Sequence, residues 1–185
     1  DVEGTATLMR ACKESSAKRI MYLSHHGADR GSAYPVLKAK GIAENWIIDS
    51  GIPYTIFRTG AIFGPGDQFT EPIARLLRIS PGFFLIPEEG KSLLQPLWVE
   101  DLVTCMILAV EDARMAGRML AVGGIESISY AEIVYLIMKK IGVKRSLVSI
   151  GPDNLRRLTL YIDQVYRKFP ISIFWLDQLA ADRIT

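Results

Sequence analysis

The sequence predicts an α/β fold with a parallel sheet, and the order of its apolar segments carries the prediction. Ile20–Ser24 and Tyr54–Arg58 are short runs rich in apolar, aromatic and β-branched residues, which is typical of buried strands. A helical segment at 35–50 lies between them, with Pro35 suited to its first position and Gly51 to its end. Two strands joined by one such helix form a parallel βαβ unit, so strands and helices are expected to alternate.

The rest of the chain continues this alternation. Ser129 and Glu132 have the spacing of a capping box, which predicts a helix that runs to about 141 and ends at Gly142. Residues 83–95 are expected to be irregular or to contain short strands. Apolar spacing and breakers predict the remaining elements: helices at 3–15, 70–79, 100–111 and 153–167, a strand at 119–122, and an apolar segment at 169–176 that docks on the protein.

Composition excludes several classes of function. The 185 residues are 49% apolar and 23% charged, as in an ordinary globular protein, and a net charge of +2 with dispersed basic residues does not indicate nucleic-acid binding. No run of 18 apolar residues and no signal-peptide pattern is present. We expect a cytoplasmic protein in which Cys12 and Cys105 are buried, reduced thiols. The adjacent histidines His25 and His26 have no third ligand at a recognisable spacing, so no metal site is expected.

Several motifs, taken in order, resemble those of the short-chain dehydrogenase/reductase superfamily in its extended and atypical branches. Residues 18–25 resemble the strand that carries the family's catalytic serine region, and 58–67 resemble its arginine-containing strand and glycine-proline loop. Residues 95–106 are similar to the family's P-x-x-V-x-D helix start. Further similarities lie in 3–12, 121–133 and 173–179, the last being similar to the NDUFA-nine-like atypical group.

The resemblance implies a fold, a function and a cofactor. We expect 1–68 to form the second, C-terminal half of a Rossmann-like parallel sheet, and 69–185 to form a small mixed α/β subdomain on the substrate side. The implied function is an NAD(P)-binding oxidoreductase, epimerase or dehydratase that acts on an unidentified small molecule. The alternative is a non-catalytic protein of the same fold that binds or assembles with others. The resemblance does not distinguish NAD from NADP.

The glycine-rich first turn that binds pyrophosphate in the family does not occur in these residues. Gly60, Gly64 and Gly66 follow a strand, but their spacing differs and Pro65 interrupts them. We therefore expect this chain to bind a dinucleotide weakly. An open edge of a halved sheet could also pair with a second copy of the chain, which would make it a homo-oligomer.

The catalytic pair can be read in two registers. Tyr34 and Lys38 match the family's Y-x-x-x-K literally, whereas Lys40 stands four residues before Glu44, as the family lysine stands before a glutamate. The second register places Val36 at the position of the tyrosine. With about 100° per residue, Lys40 lies at the edge of the face formed by Val36, Ala39, Ala43, Trp46 and Ile47, whereas Lys38 points to solvent.

The position of Lys40 on the helix favours it as the family lysine and indicates that the catalytic tyrosine is lost. The alternative is that Tyr34 enters the site from the loop before the helix. In the family, the tyrosine transfers a proton at the substrate oxygen, and the lysine lowers its pKa and holds the nicotinamide ribose. The predicted catalytic residues are Lys40, Tyr34 and Ser24. The predicted cofactor-binding residues are Ser24, His25, Lys40, Thr59, Gly60, Ala61 and Ile62, most of them at the carboxyl ends of strands.

Overall fold

Strands and helices alternate along residues 2–165, the part of the chain that the computed structural model describes. The helices are α1 (Val2–Glu14), α2 (Pro35–Asp49), α3 (Thr70–Ile79), α4 (Val99–Glu111), α5 (Tyr130–Ile141) and α6 (Pro152–Val165). The strands are β1 (Ile20–His25), β2 (Tyr54–Thr59), β3 (Ile62–Phe63), β4 (Phe83–Pro87), β5 (Leu93–Leu94), β6 (Leu97–Trp98), β7 (Arg118–Val122), β8 (Ile128–Ser129) and β9 (Ser146–Ile150). The predicted α/β class is confirmed.

The described residues divide into two units, which we call the first unit (2–60 and 97–123) and the second unit (61–96 and 124–165). In the first unit, β1, β2 and β7 form a parallel sheet in that order, with Ile20 opposite Tyr54 and Thr55 opposite Arg118. In the second unit, β4 pairs with β9 in parallel and β5 pairs with β8 antiparallel. The division of the whole chain at residue 68 stays a prediction.

The core of the first unit explains why β1 and β2 are strands. Ile20 and Ile56 are on the same face of the sheet, and they pack with Met9 of α1 and Ile47 of α2 in one buried cluster. Ile56 is fully buried, and Ile47 is 1% exposed. The helix between the two strands therefore covers the face that its own strands present, as in a βαβ unit.

The second unit has a larger cluster of buried residues, built mainly by α3 and α5. Ile73, Leu77 and Val134 are completely buried within it. The predicted capping box is present, since Ser129 Oγ accepts from the Glu132 amide at 3.2 Å and Glu132 Oε2 accepts from the Ser129 amide at 2.8 Å. Gly142 ends α5 in the left-handed conformation, with φ 73°.

Asp67 fixes the loop that leads into α3. Its carboxylate accepts hydrogen bonds from the amides of Gly64 (3.2 Å), Phe69 (2.7 Å) and Thr70, and from Thr70 Oγ1 at 2.6 Å. Partial burial alone would raise the pKa of this carboxyl, but the hydrogen bonds outweigh that effect and lower the pKa below its usual value. The hydrogen bonds at the start of α3 therefore favour the ionised form of Asp67.

Asp67→Ala is expected to destabilise the protein by about 1–2 kcal/mol near neutral pH, the usual cost of replacing a helix-capping residue by alanine. Because the pKa of Asp67 is lowered in the folded state, its contribution to the free energy of unfolding is complete above its unfolded-state pKa. It is then lost as pH falls through the folded-state pKa. Urea denaturation of both proteins between pH 7 and pH 3 measures this, and the stability gap between them should narrow on acidification. A gap that stays constant with pH would contradict the assignment.

Three predictions of detail need correction. Strand β9 was not expected, and it forms because Ser146–Ile150 finds a parallel partner in β4. Cys105 is exposed rather than buried, and Cys12 is only partly buried, although both are free thiols. Trp46 is 38% exposed, because the buried arc of α2 is centred on Leu37, Gly41 and Glu44 rather than on Val36.

Two predictions concern residues outside the described part of the chain: the docked segment at 169–176, and the end of the last helix at 167. Between residues 2 and 165, no helix is long and apolar enough to cross a membrane.

Candidate functional site

The carboxyl ends of β1 and β2 bring three of the predicted site residues together. The parallel register places Ser24 opposite Arg58 and His25 opposite Thr59. Thr59, which is 2% exposed, points its Oγ1 to the Ser24 carbonyl at 3.4 Å, and the amide of His26 donates to the Thr59 carbonyl at 2.9 Å. This end of a parallel sheet is where α/β proteins usually bind ligands.

Ser24 is the polar group at this point whose hydrogen bonding is incomplete. Its side chain is 3% exposed, and its Oγ has no hydrogen-bond partner among the described residues. A buried hydroxyl without a partner costs free energy, so such groups in native proteins call for an explanation. His25, in contrast, places Nδ1 3.0 Å from the His26 carbonyl oxygen.

At the start of α2, Tyr34 and Lys38 lie in different local conformations. Tyr34 precedes the helix with φ −89° and ψ 119°, an extended conformation that the following Pro35 favours. Lys38 is exposed, and Val36 is partly buried in the first turn. Tyr34 and Lys38 are therefore not two residues of one helical face.

Lys40 lies at the end of β1. Its Nζ donates to the Leu23 carbonyl at 3.0 Å and lies 5.0 Å from the centre of the Tyr22 ring. Partial burial lowers the pKa of Lys40 below its usual value, and the negative charge of Glu44 opposes that shift. Burial, together with the charge of Glu44, raises the pKa of Tyr22.

Beside Lys40, a buried ion pair joins α2 to β2. Glu44, 3% exposed, accepts from Arg58 Nε at 2.9 Å and from Arg58 Nη2 at 2.5 Å. Arg58 Nη2 also donates to the carbonyl of Ala28, in the loop after β1, at 3.1 Å. The hydrogen bond to Glu44 is the largest influence on Arg58 and raises its pKa. The guanidinium of Arg58 thus connects β2, α2 and the loop after β1.

Gly41 allows the loop after β1 to lie directly on α2. A Cβ atom at this position would meet the backbone of Arg30 and Asp29, with the Cα of Asp29 at 2.7 Å. In the same contact, the amide of Asp29 donates to the carbonyl of Leu37 at 3.2 Å. Only glycine fits at this crossing, because a side chain would push the loop away from the helix.

The other predicted site residues are placed differently. Gly60 is the last residue of the first segment of the first unit. Ala61 belongs to the second unit, where it is 8% exposed and packs in the core, and Ile62 begins β3. No group of three His, Cys, Asp or Glu side chains that could hold a metal ion is found within residues 2–165.

Arg58, Glu44 and Gly41 were not among the residues predicted for the site. Only Gly41 has a direct signal in the sequence, because the burial of Glu44 became known from the structure. A glutamate on the buried face of a helix needs a charged partner. A glycine inside a helix is unfavourable by about 1 kcal/mol relative to alanine unless another segment needs the space.

Comparison with known proteins finds relatives in sequence for this chain. No family model matches the chain. It is 25% identical over 199 aligned residues to 3beta-hydroxysteroid-dehydrogenase/decarboxylase isoform 1 of Arabidopsis thaliana, covering 90% of this chain and 45% of that protein. It is 24% identical to the mitochondrial NADH dehydrogenase [ubiquinone] 1 alpha subcomplex subunit 9 of the same plant, covering 88% and 42%.

Solved structures share the fold. A nucleoside-diphosphate-sugar epimerase from Staphylococcus aureus superposes with a TM-score of 0.71 at 14% identity, covering 97% of this chain and 60% of that one. A triphenylmethane reductase from Citrobacter, solved with NADP(H), gives 0.70 at 14% identity, covering 100% and 63%. MoeE5, solved with UDP-glucuronic acid and NAD, gives 0.66 at 20% identity, covering 80% and 56%.

The names of these proteins include a dehydrogenase, a reductase and an epimerase, and two of the three solved structures contain NAD or NADP(H). The chain is therefore similar to proteins of the short-chain dehydrogenase/reductase kind, including epimerases and a protein named as a subunit of NADH dehydrogenase, in agreement with the resemblance of its motifs. It spans about half the length of the curated relatives that it matches.

Proposed function

We propose that this chain supplies the nicotinamide side of an NAD(P)-binding protein whose catalytic tyrosine has been lost. The observation that carries the proposal is the position of Lys40, which extends from α2 to the end of β1, next to Ser24. Val36, four residues earlier in the same helix, stands where the family tyrosine would be expected. In such proteins the bound dinucleotide supplies hydride transfer. An ammonium group at this place binds ribose hydroxyls, whereas a valine cannot donate a proton.

The residues at the end of the sheet fit one part of the cofactor. The Ser24 hydroxyl has no partner among the described residues, and Lys40 uses one of its three donors on Leu23. Thr59 and Gly60 are small enough for a ring to approach the backbone, and His25 lies opposite Thr59. The hydrogen-bonding groups and the small residues fit a ribose or a carboxamide as their ligand. We assign them no contact with the pyrophosphate.

Two phenols could replace the lost proton donor, and neither is well suited. Tyr34 lies outside the helical register, in an extended conformation before Pro35. Tyr22 lies under Lys40, but burial followed by the charge of Glu44 raises the pKa of its phenol. A raised pKa makes Tyr22 a weaker acid, which is the opposite of what the family lysine does for its tyrosine.

We expect this 185-residue chain to bind NADH and NADPH more weakly than micromolar, because its sequence has no glycine-rich turn to hold the pyrophosphate. Isothermal titration calorimetry with both cofactors measures this, with ADP-ribose as a control that lacks the nicotinamide. Micromolar binding of either cofactor would contradict the expectation. NADH binding in a longer chain that contains such a turn, lost on Lys40→Ala, would support the nicotinamide-side assignment.

A non-catalytic role in assembly is the second candidate, and Val36 favours it. The similarity to a protein named as a subunit of NADH dehydrogenase adds support. An activity screen of the wild type, Lys40→Ala and Tyr34→Phe separates the candidates. Turnover abolished by Tyr34→Phe would show that Tyr34 and Lys38 form the pair after all. No turnover in any of the three proteins would support the assembly role.

Self-association through β1 is a further part of the proposal. The amides of Ile20 and His26 donate towards β2, so Met21 and Leu23 direct their backbone groups to the opposite side, where no described strand pairs. Such an edge favours pairing with a second copy. Light scattering across a concentration series tests this, and a clean monomer would contradict it.

The predicted cytoplasmic location also stays a proposal, and two relatives are named as mitochondrial proteins.

A further inference from the structure

Glu44 stands out because a buried carboxylate on the inner face of a helix needs a reason to be there. Replacing a buried ion pair by apolar residues of similar volume is often neutral or stabilising, so the Glu44–Arg58 pair is weak evidence for stability alone. Its geometry is specific, because both carboxylate oxygens accept from Arg58, at 2.9 and 2.5 Å. A pair of this kind fixes orientation as well as distance.

The segments that the pair joins surround the end of β1. Glu44 is in the middle of α2, Arg58 is the penultimate residue of β2, and the second contact of Arg58 is with the carbonyl of Ala28. Ala28 itself is 5% exposed and begins the loop that crosses Gly41. Loss of the carboxylate would leave the guanidinium without its anchor, and the Ala28 carbonyl would lose an oriented donor.

Glu44 also acts on Lys40, one helical turn before it. The two residues are four apart, so their side chains leave the same side of α2. Tyr22 on β1 and Glu44 on α2 act on Lys40 directly. Arg58 on β2 is the partner of Glu44, and Asp29, in the loop that lies on Gly41, acts on Arg58. Within residues 2–165, Glu44 is the charged group that opposes the effect of burial on Lys40.

We propose that Glu44 is the positioning residue of this site: it holds the loop after β1 against β2 through Arg58, and it places a negative charge one helical turn from Lys40 at the end of β1. This inference deepens the proposed function, because it concerns the lysine assigned to the cofactor ribose. A neutral Lys40 would have fewer donors for the Leu23 carbonyl and for a ribose. Glu44 acts on both groups without itself touching a ligand.

The first test follows Lys40 by NMR of ¹³C-labelled lysine without any cofactor, with the signal assigned through Lys40→Arg. In Glu44→Gln, which keeps the shape of the side chain but removes the charge, we expect the pKa of Lys40 to fall further while that of exposed Lys38 stays unchanged. Glu71→Gln is the matched control, because Glu71 pairs with Arg75 four residues away on an exposed surface. It should leave Lys40 unchanged.

The second test measures the loop. The amide of Asp29 donates to the Leu37 carbonyl, and its hydrogen exchange should accelerate in Glu44→Gln. The amide of Tyr130 donates to the Ser92 carbonyl in the second unit and should keep its exchange rate. A loss of global stability alone would accelerate both amides rather than Asp29 selectively.

Glu44→Asp retains the charge but sets it back by one methylene, so the pKa of Lys40 should lie between those of the wild type and Glu44→Gln. If Glu44→Gln does not fold by circular dichroism, this titration decides. A pKa of Lys40 in Glu44→Asp equal to that of the wild type would overturn the proposal. So would equal shifts of Lys38 and Lys40 in folded Glu44→Gln. Because no cofactor is present, weak dinucleotide binding would contradict the proposed function without affecting this result.

Discussion

Arg58→Met is expected to lower the free energy of unfolding by about 3 kcal/mol, because it leaves the Glu44 carboxylate buried without a counter-charge. The Glu44 side chain is 4% exposed, whereas that of Arg58 is 31% exposed. Partial exposure of Arg58 places the expected loss at the lower end for a broken buried pair. Urea denaturation at neutral pH measures the effect.

Two further variants separate the ion pair from the packing around it. Arg58→Met combined with Glu44→Leu removes both charges and should recover most of the lost stability, because the uncompensated carboxylate is gone. Arg75→Met breaks the exposed pair with Glu71, at 3.1 Å, and should cost less than about 1 kcal/mol. Equal losses in Arg58→Met and Arg75→Met would show that burial of Glu44 does not matter for stability.

Gly41→Ala is expected to destabilise the protein by about 2 kcal/mol, although alanine is the better helix former. The added Cβ would overlap the backbone of Arg30 and Asp29. Overpacking against backbone costs about 3 kcal/mol at the upper end, and the helix propensity of alanine offsets about 1 kcal/mol of that. The loop after β1 must move away, so the amide of Asp29 should also lose its protection from hydrogen exchange.

Gly4→Ala is the matched control, with the opposite expected sign. Gly4 also lies inside a helix, but a Cβ there would meet nothing within 4 Å. It should gain up to about 1 kcal/mol from helix propensity alone. If both substitutions stabilise the protein by similar amounts, the close approach of the loop to α2 is not a constraint on the fold.

The order of elements could be predicted from the sequence because it depends on local chemistry. Apolar and β-branched runs produced β1 and β2, Pro35 began α2, and the Ser129–Glu132 spacing opened α5 at the predicted residue. Strand β9 could not be predicted in this way, because Ser146–Ile150 has a weak strand pattern and depends on pairing with β4, about 60 residues earlier.

The candidate site also combines features that the local sequence predicts with contacts that depend on the tertiary structure. Helix phase separated Lys40 from Lys38, because residues two apart point about 200° from each other around the helix axis. The assignment of Val36 to the position of the tyrosine stays a prediction. The contact of Lys40 with the Leu23 carbonyl and the Tyr22 ring depends on how α2 lies on the sheet. That contact keeps Lys40 beside Ser24 in the absence of a cofactor.

The sequence by itself determined the α/β class and most of the succession of helices and strands, and it predicts the register that favours Lys40. Only the tertiary structure decided that Glu44 pairs with Arg58, that the loop crosses Gly41, and that Ser24 is buried at the end of β1. The physical reason is distance along the chain. Propensity, capping and helix phase act over a few residues, whereas these contacts join segments that are brought together only when the sheet forms.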